Sequence, residues 1–369
     1  MDLGEINTGS ITDCKTKPLM SRVLKDQTSL NLKLTEPLRQ DRFSTQIHPI
    51  RERFDAWAQL LAPVVLAENP QRDFKACARA YDLGRMHYVS THHDAMYHQR
   101  SEELISQSGI DHWLLTLRRS GTERSRCGDT VLDSQPGSLD IRSLARPFSG
   151  ETSRTGCVFI FLSRDDFVSL APLLDGANHR LLEGSMKGVI RDFILSLDEV
   201  IGDMTVADLP VLVNSITALL NAALEPCRSK TEEARDVIAA SLLDKARSYI
   251  HANLKSPDLD PDTIGAAMQM SRRKLYYLFE RRGGVARYIR RRRLLACHDA
   301  IVDAADHRFV STIAYEYGFT NAAQFSRNFL AEFGYSPTEA REFNLCGYRP
   351  IEKAPATFTE WLLQVRNDG

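Results

Sequence analysis

One short pattern is written twice between about Thr263 and Arg341, and it limits what this chain can fold into more than any other feature. The first copy reads Thr263-Ile264-Gly265-Ala266-Ala267-Met268-Gln269-Met270-Ser271, then Arg272-Arg273-Lys274-Leu275-Tyr276-Tyr277-Leu278-Phe279. The second reads Thr312-Ile313-Ala314-Tyr315-Glu316-Tyr317-Gly318-Phe319-Thr320, then Asn321-Ala322-Ala323-Gln324-Phe325-Ser326-Arg327-Asn328-Phe329. Each copy predicts a short apolar helix, a tight turn and a second, amphipathic helix. A hydroxyl side chain, Ser271 or Thr320, is placed to cap that second helix. Gly318 suits the turn because it tolerates positive φ. Ala266, Ala267 and Ala314 let two helix backbones cross closely. The pattern is the sequence form of a helix-turn-helix.

The second helices carry the chemistry of DNA reading. Leu275, Leu278 and Phe279 recur at helical spacing and predict one buried face. The other face of the first copy holds Arg272, Arg273, Tyr276 and Tyr277. From Gln269 to Arg293 there are ten Lys or Arg against one acid, Glu280, a local charge of +9 in a chain whose net charge is −1. An isolated charge run is usually a solvated helix face. This one lies on and just after a candidate recognition helix, where a phosphate backbone would be met.

These residues resemble the DNA-binding domain of AraC/XylS transcriptional regulators. The later half carries the signature most clearly, in Ile313-Ala314, Gly318-Phe319, Phe325-Ser326-Arg327-Asn328-Phe329, Phe333-Gly334, and Ser336-Pro337 followed by Arg341. The resemblance covers about residues 240–343. It implies two helix-turn-helix subdomains joined by one long helix and reading successive major-groove segments of promoter DNA. It places DNA contacts on Ser271, Arg272, Arg273, Lys274, Tyr276 and Tyr277 in the first copy. In the second it places them on Asn321, Ala322, Ala323, Gln324, Ser326 and Arg327. It further implies activation of transcription and RNA polymerase as a partner. Three positions depart from the family pattern: Gly265 stands where Ala is usual, Ala340 where an aromatic is common, and Ala322-Ala323 where polar base-reading side chains are frequent.

Upstream the signals change. Residues 1–45 are polar and weakly periodic, and predict a disordered or loosely attached arm. Phe54, Trp57, Leu60, Leu61, Val64 and Val65 predict a helix that opens a domain spanning 46–226. Short strand-like runs follow at Phe74–Tyr81, Met86–Thr91, His112–Arg118, Val131–Leu132, Ser138–Asp140 and Cys157–Leu162, separated by Gly turns, and predict a sandwich or barrel. Gln135-Pro136-Gly137-Ser138-Leu139-Asp140 with Arg146-Pro147-Phe148 resembles the cupin-like effector domain that precedes the DNA-binding domain in many AraC-type regulators. Such a sandwich can hold a small organic effector. Tyr88, His112, Trp113 and Arg142 are the candidate lining. Two amphipathic helices follow, striped by Val189, Ile190, Phe193, Ile194, Leu197, Val200 and Ile201, and by Leu209, Leu212, Val213, Ile216, Leu219, Leu220 and Leu224. They either cover the β-domain or, as in the resembling regulators, form a homodimer interface. Residues 227–239 are expected to be a polar linker, 240–345 the DNA-binding domain, and 346–369 a tail containing Trp361-Leu362-Leu363.

Several classes are disfavoured. The seven cysteines form no Cys-x-x-Cys pair, so neither a zinc site nor a disulfide framework is indicated and a reducing cytoplasm is the expected compartment. No apolar run is read as reaching the ~18 residues of a membrane span. His87, His92, His93, His98 and His112 lie in the β-region. His92 and His93 are adjacent, however, and adjacent strand residues face opposite ways. No Gly-rich phosphate loop and no Gly-x-Ser-x-Gly elbow appear. The expected architecture is therefore α+β: an N-terminal cupin-like β-sandwich with flanking helices, then an all-α domain of two helix-turn-helix subdomains. The expected function is that of an effector-controlled, non-enzymatic DNA-binding transcription regulator without a cofactor. The competing readings are a cupin-type metal enzyme fused to a DNA-binding tail and a DNA-binding protein without an effector.

Overall fold

The computed structural model describes residues 34–69, 73–224, 242–303 and 305–342. The expected linker at 227–239, the tail at 346–369 and most of the expected N-terminal arm lie outside them.

The N-terminal half is built from twelve described strands: β1 Gln40–Ser44, β2 Leu66–Glu68, β3 Ala76–Asp82, β4 Met86–His93, β5 Met96–Arg100, β6 Trp113–Ser120, β7 Glu123–Cys127, β8 Thr130–Ser134, β9 Leu139–Ser143, β10 Phe148–Thr152, β11 Thr155–Leu162 and β12 Arg180–Leu181. They form a seven-stranded sheet in the order β1-β3-β4-β11-β6-β9-β12 and a five-stranded sheet in the order β2-β5-β10-β7-β8. Every pairing between these strands is antiparallel. The strands expected near 86, 112 and 157 are the central ones, β4, β6 and β11. They are buried along almost their whole length because the large sheet is covered on both faces.

The missed strands are the polar ones. Glu123-Arg124-Ser125-Arg126-Cys127 alternates cleanly, but its buried positions are Glu123 and Ser125, so it shows no apolar period. Gln40–Ser44 lies within the stretch expected to be an arm, yet pairs with β3 in register Phe43 to Ala78. The arm reading is corrected there: an edge strand gains its hydrogen bonds from a neighbour without needing an apolar face of its own.

Helices α1 (Arg53–Leu61), α2 (Glu102–Ser108), α3 (Ala171–Gly176), α4 (Met186–Val200) and α5 (Leu209–Leu224) flank the sheets. Ile190, Ile194 and Leu197 of α4 and Leu212, Ile216 and Leu220 of α5 join one core with Leu139, Ile141 and Ile160. The double stripe is thus satisfied within the chain, whereas Val189 and Val200, expected on it, are about half exposed at 49% and 50%. The span Val206–Leu224 is long and apolar enough to cross a membrane by composition, which corrects the reading that no such run exists. Its buried side chains belong to the domain core.

The C-terminal half contains α6 (Leu242–Ala252), α7 (Pro261–Ala267), α8 (Arg272–Phe279), α9 (Val285–Val302), α10 (Val310–Glu316), α11 (Ala322–Phe333) and α12 (Pro337–Glu342). Ile250, Ile264, Leu275, Phe279 and Ile289 close the first subdomain. Ile301, Ile313, Phe325, Phe329 and Phe333 close the second. The long helix α9 contributes to both. Ala340 is fully buried, so its small side chain belongs to the packing of the domain's end.

The two halves meet through a buried ionic joint. Asp111 of the β-half accepts from Arg247 at 2.8 Å and Arg282 at 3.0 Å. Asp165 lies 3.1 Å from Arg247 Nε and accepts from the Tyr288 hydroxyl at 2.9 Å. Arg164 reaches back to Asp244 at 3.4 Å. Burial would push the Asp165 carboxyl up, but the Arg247 and Arg282 guanidinium groups bring it down to about 2. The same two arginines, with Arg164, outweigh burial at Asp111 and hold it far below the ordinary carboxylate range.

Candidate nucleic-acid interface and ligand cavity

The two repeat copies present the same kind of surface. Leu275 and Phe279 of α8 are buried, as are Phe325 and Phe329 of α11. In both helices the residues around them point outward: Arg272, Arg273, Lys274, Tyr276 and Tyr277 in α8, and Ala322, Ala323, Gln324, Ser326 and Arg327 in α11. Ser271 caps α8 by accepting from the Lys274 amide at 3.3 Å. In the second copy the cap is Asn321, whose Oδ1 accepts from the Gln324 amide at 2.9 Å. The expected cap, Thr320, is displaced because the second turn is one residue longer. The turns correspond at Met270 and Phe319, whose amides bond back to Gly265 and Ala314. The buried helix positions correspond at Leu275 and Phe325. Arg273 is therefore matched by Ala323, and Arg327 by Tyr277.

The outward charge is smaller than the sequence count. Arg282 and Arg292 face acids of the β-half, Arg292 at 3.9 Å from Asp166. Arg291 pairs with Glu332 at 2.9 Å, and Arg293 donates to the carbonyls of Leu254 and Ser256. Arg272, Arg273, Lys274, Arg287 and Arg290 remain on the exposed surface. Arg272 sits 5.6 Å from the Tyr276 ring centroid and 3.4 Å from Asp262. Arg327 donates to Gln324 at 2.8 Å, and Gln324 to Asn328 at 2.8 Å, a polar chain along the exposed face of α11.

A cavity of about 390 Å³ lies between the two sheets, within the size range of small-molecule sites. Trp57, Val65, Val89, Leu114, Phe148 and Phe161 are among its apolar walls. A polar group also lines it, comprising His93, His98, Arg118, Glu123 and Arg142. Burial brings the His93 imidazole down to about 4. Glu123 is held well below its ordinary value: burial opposes this, but Arg142 and the His98 hydrogen bond outweigh it. Of the four lining residues expected from sequence, Arg142 alone faces this cavity. Tyr88 points to the opposite side of its sheet, where its hydroxyl donates to Asp198 on α4 at 2.8 Å. Trp113 donates to Asp175 at 2.8 Å, under the Arg164 guanidinium. His112 is buried beside the ionic joint, and burial brings it down to about 4. All three belong to the outer face of the large sheet or its rim, a distinction that composition cannot make. Among the described residues no group of three His, Cys, Asp or Glu is placed to hold a metal ion.

Residues 264–342 match a family model described as a helix-turn-helix domain. The chain is 31% identical over 99 residues to the XylDLEGF operon transcriptional activator of Pseudomonas putida, a match spanning 26% of this chain and 30% of that one. It is 24% identical over 275 residues to the transcriptional activator NphR of Rhodococcus sp, covering 73% of this chain and 81% of that one. The crystal structure of the AraC-like transcriptional activator CuxR superposes with a TM-score of 0.59 at 28% identity, covering 76% of this chain and all of that one. Residues 264–342 are a helix-turn-helix domain of the AraC type, and the relatives that match the chain are transcriptional activators. The likeness to NphR and CuxR extends through the β-sandwich, whereas the match to the XylDLEGF activator spans less than a third of that protein. These likenesses support a part in DNA-binding transcription regulation, and the exposed faces of α8 and α11 fit that task.

Proposed function

We propose that the protein is a sequence-specific transcription activator that reads promoter DNA with α8 and α11 and is controlled by a small organic effector held between its two sheets. The carrying observation is the matched pair of helices, each buried on its Leu/Phe positions and open on its polar face. Two such helices joined by α9 suit successive major-groove segments. The mostly apolar cavity between the sheets supports the effector part. Activation is inferred from the relatives, which are transcriptional activators; contact with RNA polymerase and a cytoplasmic location follow from it. A homodimer on DNA is part of the same proposal. It draws on Val189, Val200 and Val211, left exposed on α4 and α5, because the main stripe is already used.

The test is selection of binding sites from a random duplex pool by the full chain, followed by titration of the selected and scrambled duplexes. A selected motif with two segments about one helical turn apart, bound far more tightly than scrambled DNA, is the expected result. No enrichment would remove the sequence-specific reading. Sedimentation showing only monomer, with and without the selected duplex, would remove the dimer.

A further inference from the structure

The polar end of the cavity is short of hydrogen-bond acceptors. Glu123 Oε1 takes Arg142 Nη1 at 2.5 Å and His98 Nε2 at 3.2 Å, while its Oε2 takes Arg118. Behind it, Asp140 Oδ1 takes Arg142 Nε at 2.8 Å and Oδ2 takes the Ser134 hydroxyl at 3.5 Å. Arg118 Nη1 is used by Thr155 at 2.7 Å and Cys157. Every carboxylate oxygen in the cluster is engaged. Among the described residues two guanidinium donors remain without a partner, Arg118 Nε and Arg142 Nη2; the Thr91 hydroxyl and His98 Nδ1 beside them are also unmet but can act as acceptors. Arg118 and Arg142 are 1% and 5% exposed, and both line the cavity. A guanidinium nitrogen left unmet at such depth is costly, and a charged acceptor satisfies it better than a neutral one.

We propose that the ligand of this cavity is an apolar monocarboxylic acid, its carboxylate seated at the Arg118–Arg142 end and its hydrocarbon body against Trp57, Val89, Leu114 and Phe161. This rests on the reading of the cavity as the effector site and specifies its ligand. A cationic head would face two guanidinium groups and find the carboxylate oxygens already taken. A polyol would leave most of its hydroxyls against apolar wall.

The experiment is calorimetric titration of the full chain with three hydrocarbon bodies, phenyl, naphthyl and straight-chain decyl, each supplied as the carboxylate, the primary amide and the amine. For at least one body the carboxylate is expected to bind at least tenfold more tightly than its amide, with no measurable binding of the amine. Arg142→Lys keeps a positive charge but lacks the unused Nη2, and is expected to narrow the acid-to-amide ratio. Val89→Phe fills the apolar end and is expected to abolish binding without touching the polar cluster. Amide or amine binding as tightly as the acid would overturn the proposal while leaving the cavity a ligand site. Undiminished binding in Val89→Phe would place the acid elsewhere and overturn it too. If none of the nine compounds binds, the monocarboxylate proposal is overturned, and the effector reading falls with it only if the cavity takes no ligand of another class either.

Discussion

Gln269 and Gly318 occupy the same turn position in the two copies, with φ of +51° and +81°. Glycine adopts that region freely, whereas a residue with a Cβ is strained there by about 1 kcal/mol. Gln269→Gly should therefore raise the unfolding free energy by about that amount. Gly318→Ala should lower it by more than the strain alone, because the new Cβ would lie 2.9 Å from the Arg293 guanidinium, which is tied to two carbonyls. Urea unfolding of the two variants checks both signs. On the exposed faces of α8 and α11, Arg273 has no ion-pair partner among the described residues, while Arg327 is tied to Gln324. If Arg273 reads a guanine, Arg273→Ala should reduce the gap between selected and scrambled duplex by about 1–3 kcal/mol. Arg327→Ala should weaken binding to both duplexes alike, as loss of a phosphate contact does. Titrations at several salt concentrations separate the two. Unchanged discrimination in Arg273→Ala together with a lower melting temperature would make that residue structural.

Among the elements, the second helices of the two repeat copies, α8 and α11, were the easiest to see, and α11 the easiest to misregister. Amphipathic period and turn residues placed both helices, but the turn in the second copy holds one residue more. The cap therefore moved from Thr320 to Asn321. Side-chain capping is worth about 1 kcal/mol, so Asn321→Ala should destabilise the domain by about that much and Thr320→Ala should be near neutral. Equal effects in thermal unfolding would restore the earlier alignment. The sandwich was legible as a class because β4, β6 and β11 are apolar. The second sheet was largely hidden because its inward residues include His98, Glu123 and Ser125, and the first two of these line the cavity. The same polarity that conceals those strands is what gives the cavity its chemistry.

At the scale of the whole molecule, the joint around Asp111 and Asp165 fixes α6, the segment after α8 and the start of α9 to the β-half. Its folded carboxyls titrate below the ordinary value of about 4. As the pH falls the unfolded chain therefore takes up protons first, and the stabilisation is full above about pH 4 and lost on approaching pH 2. Asp165→Asn should cost about 3 kcal/mol at neutral pH, because it strands part of two buried guanidinium charges. The variant should also lose less stability than wild type between pH 4 and 3. Urea midpoints of both proteins across that range are the measurement, and parallel pH curves would mean that Asp165 does not carry the acid sensitivity. Because Arg282 follows α8 closely, breaking the joint should also alter the orientation of α8 relative to the cavity. Small-angle scattering of Asp165→Asn should then show a larger radius than wild type.

The sequence by itself determined what is local and periodic: the doubled helix-turn-helix, the side of each helix that faces the core, the cap at Ser271, and a β-rich half ahead of them. These follow from spacing along one segment. Tertiary structure decided everything that depends on residues far apart in the chain. It turned Arg282, Arg291, Arg292 and Arg293 from an apparent DNA-facing run into structural partners of acids and carbonyls. It sent Tyr88, His112 and Trp113 away from the cavity and gathered Arg118, Glu123 and Arg142 at one end of it. A charge or a ring carries no mark in the sequence of which partner it will meet, because that pairing is fixed only when sheets and helices close over one another.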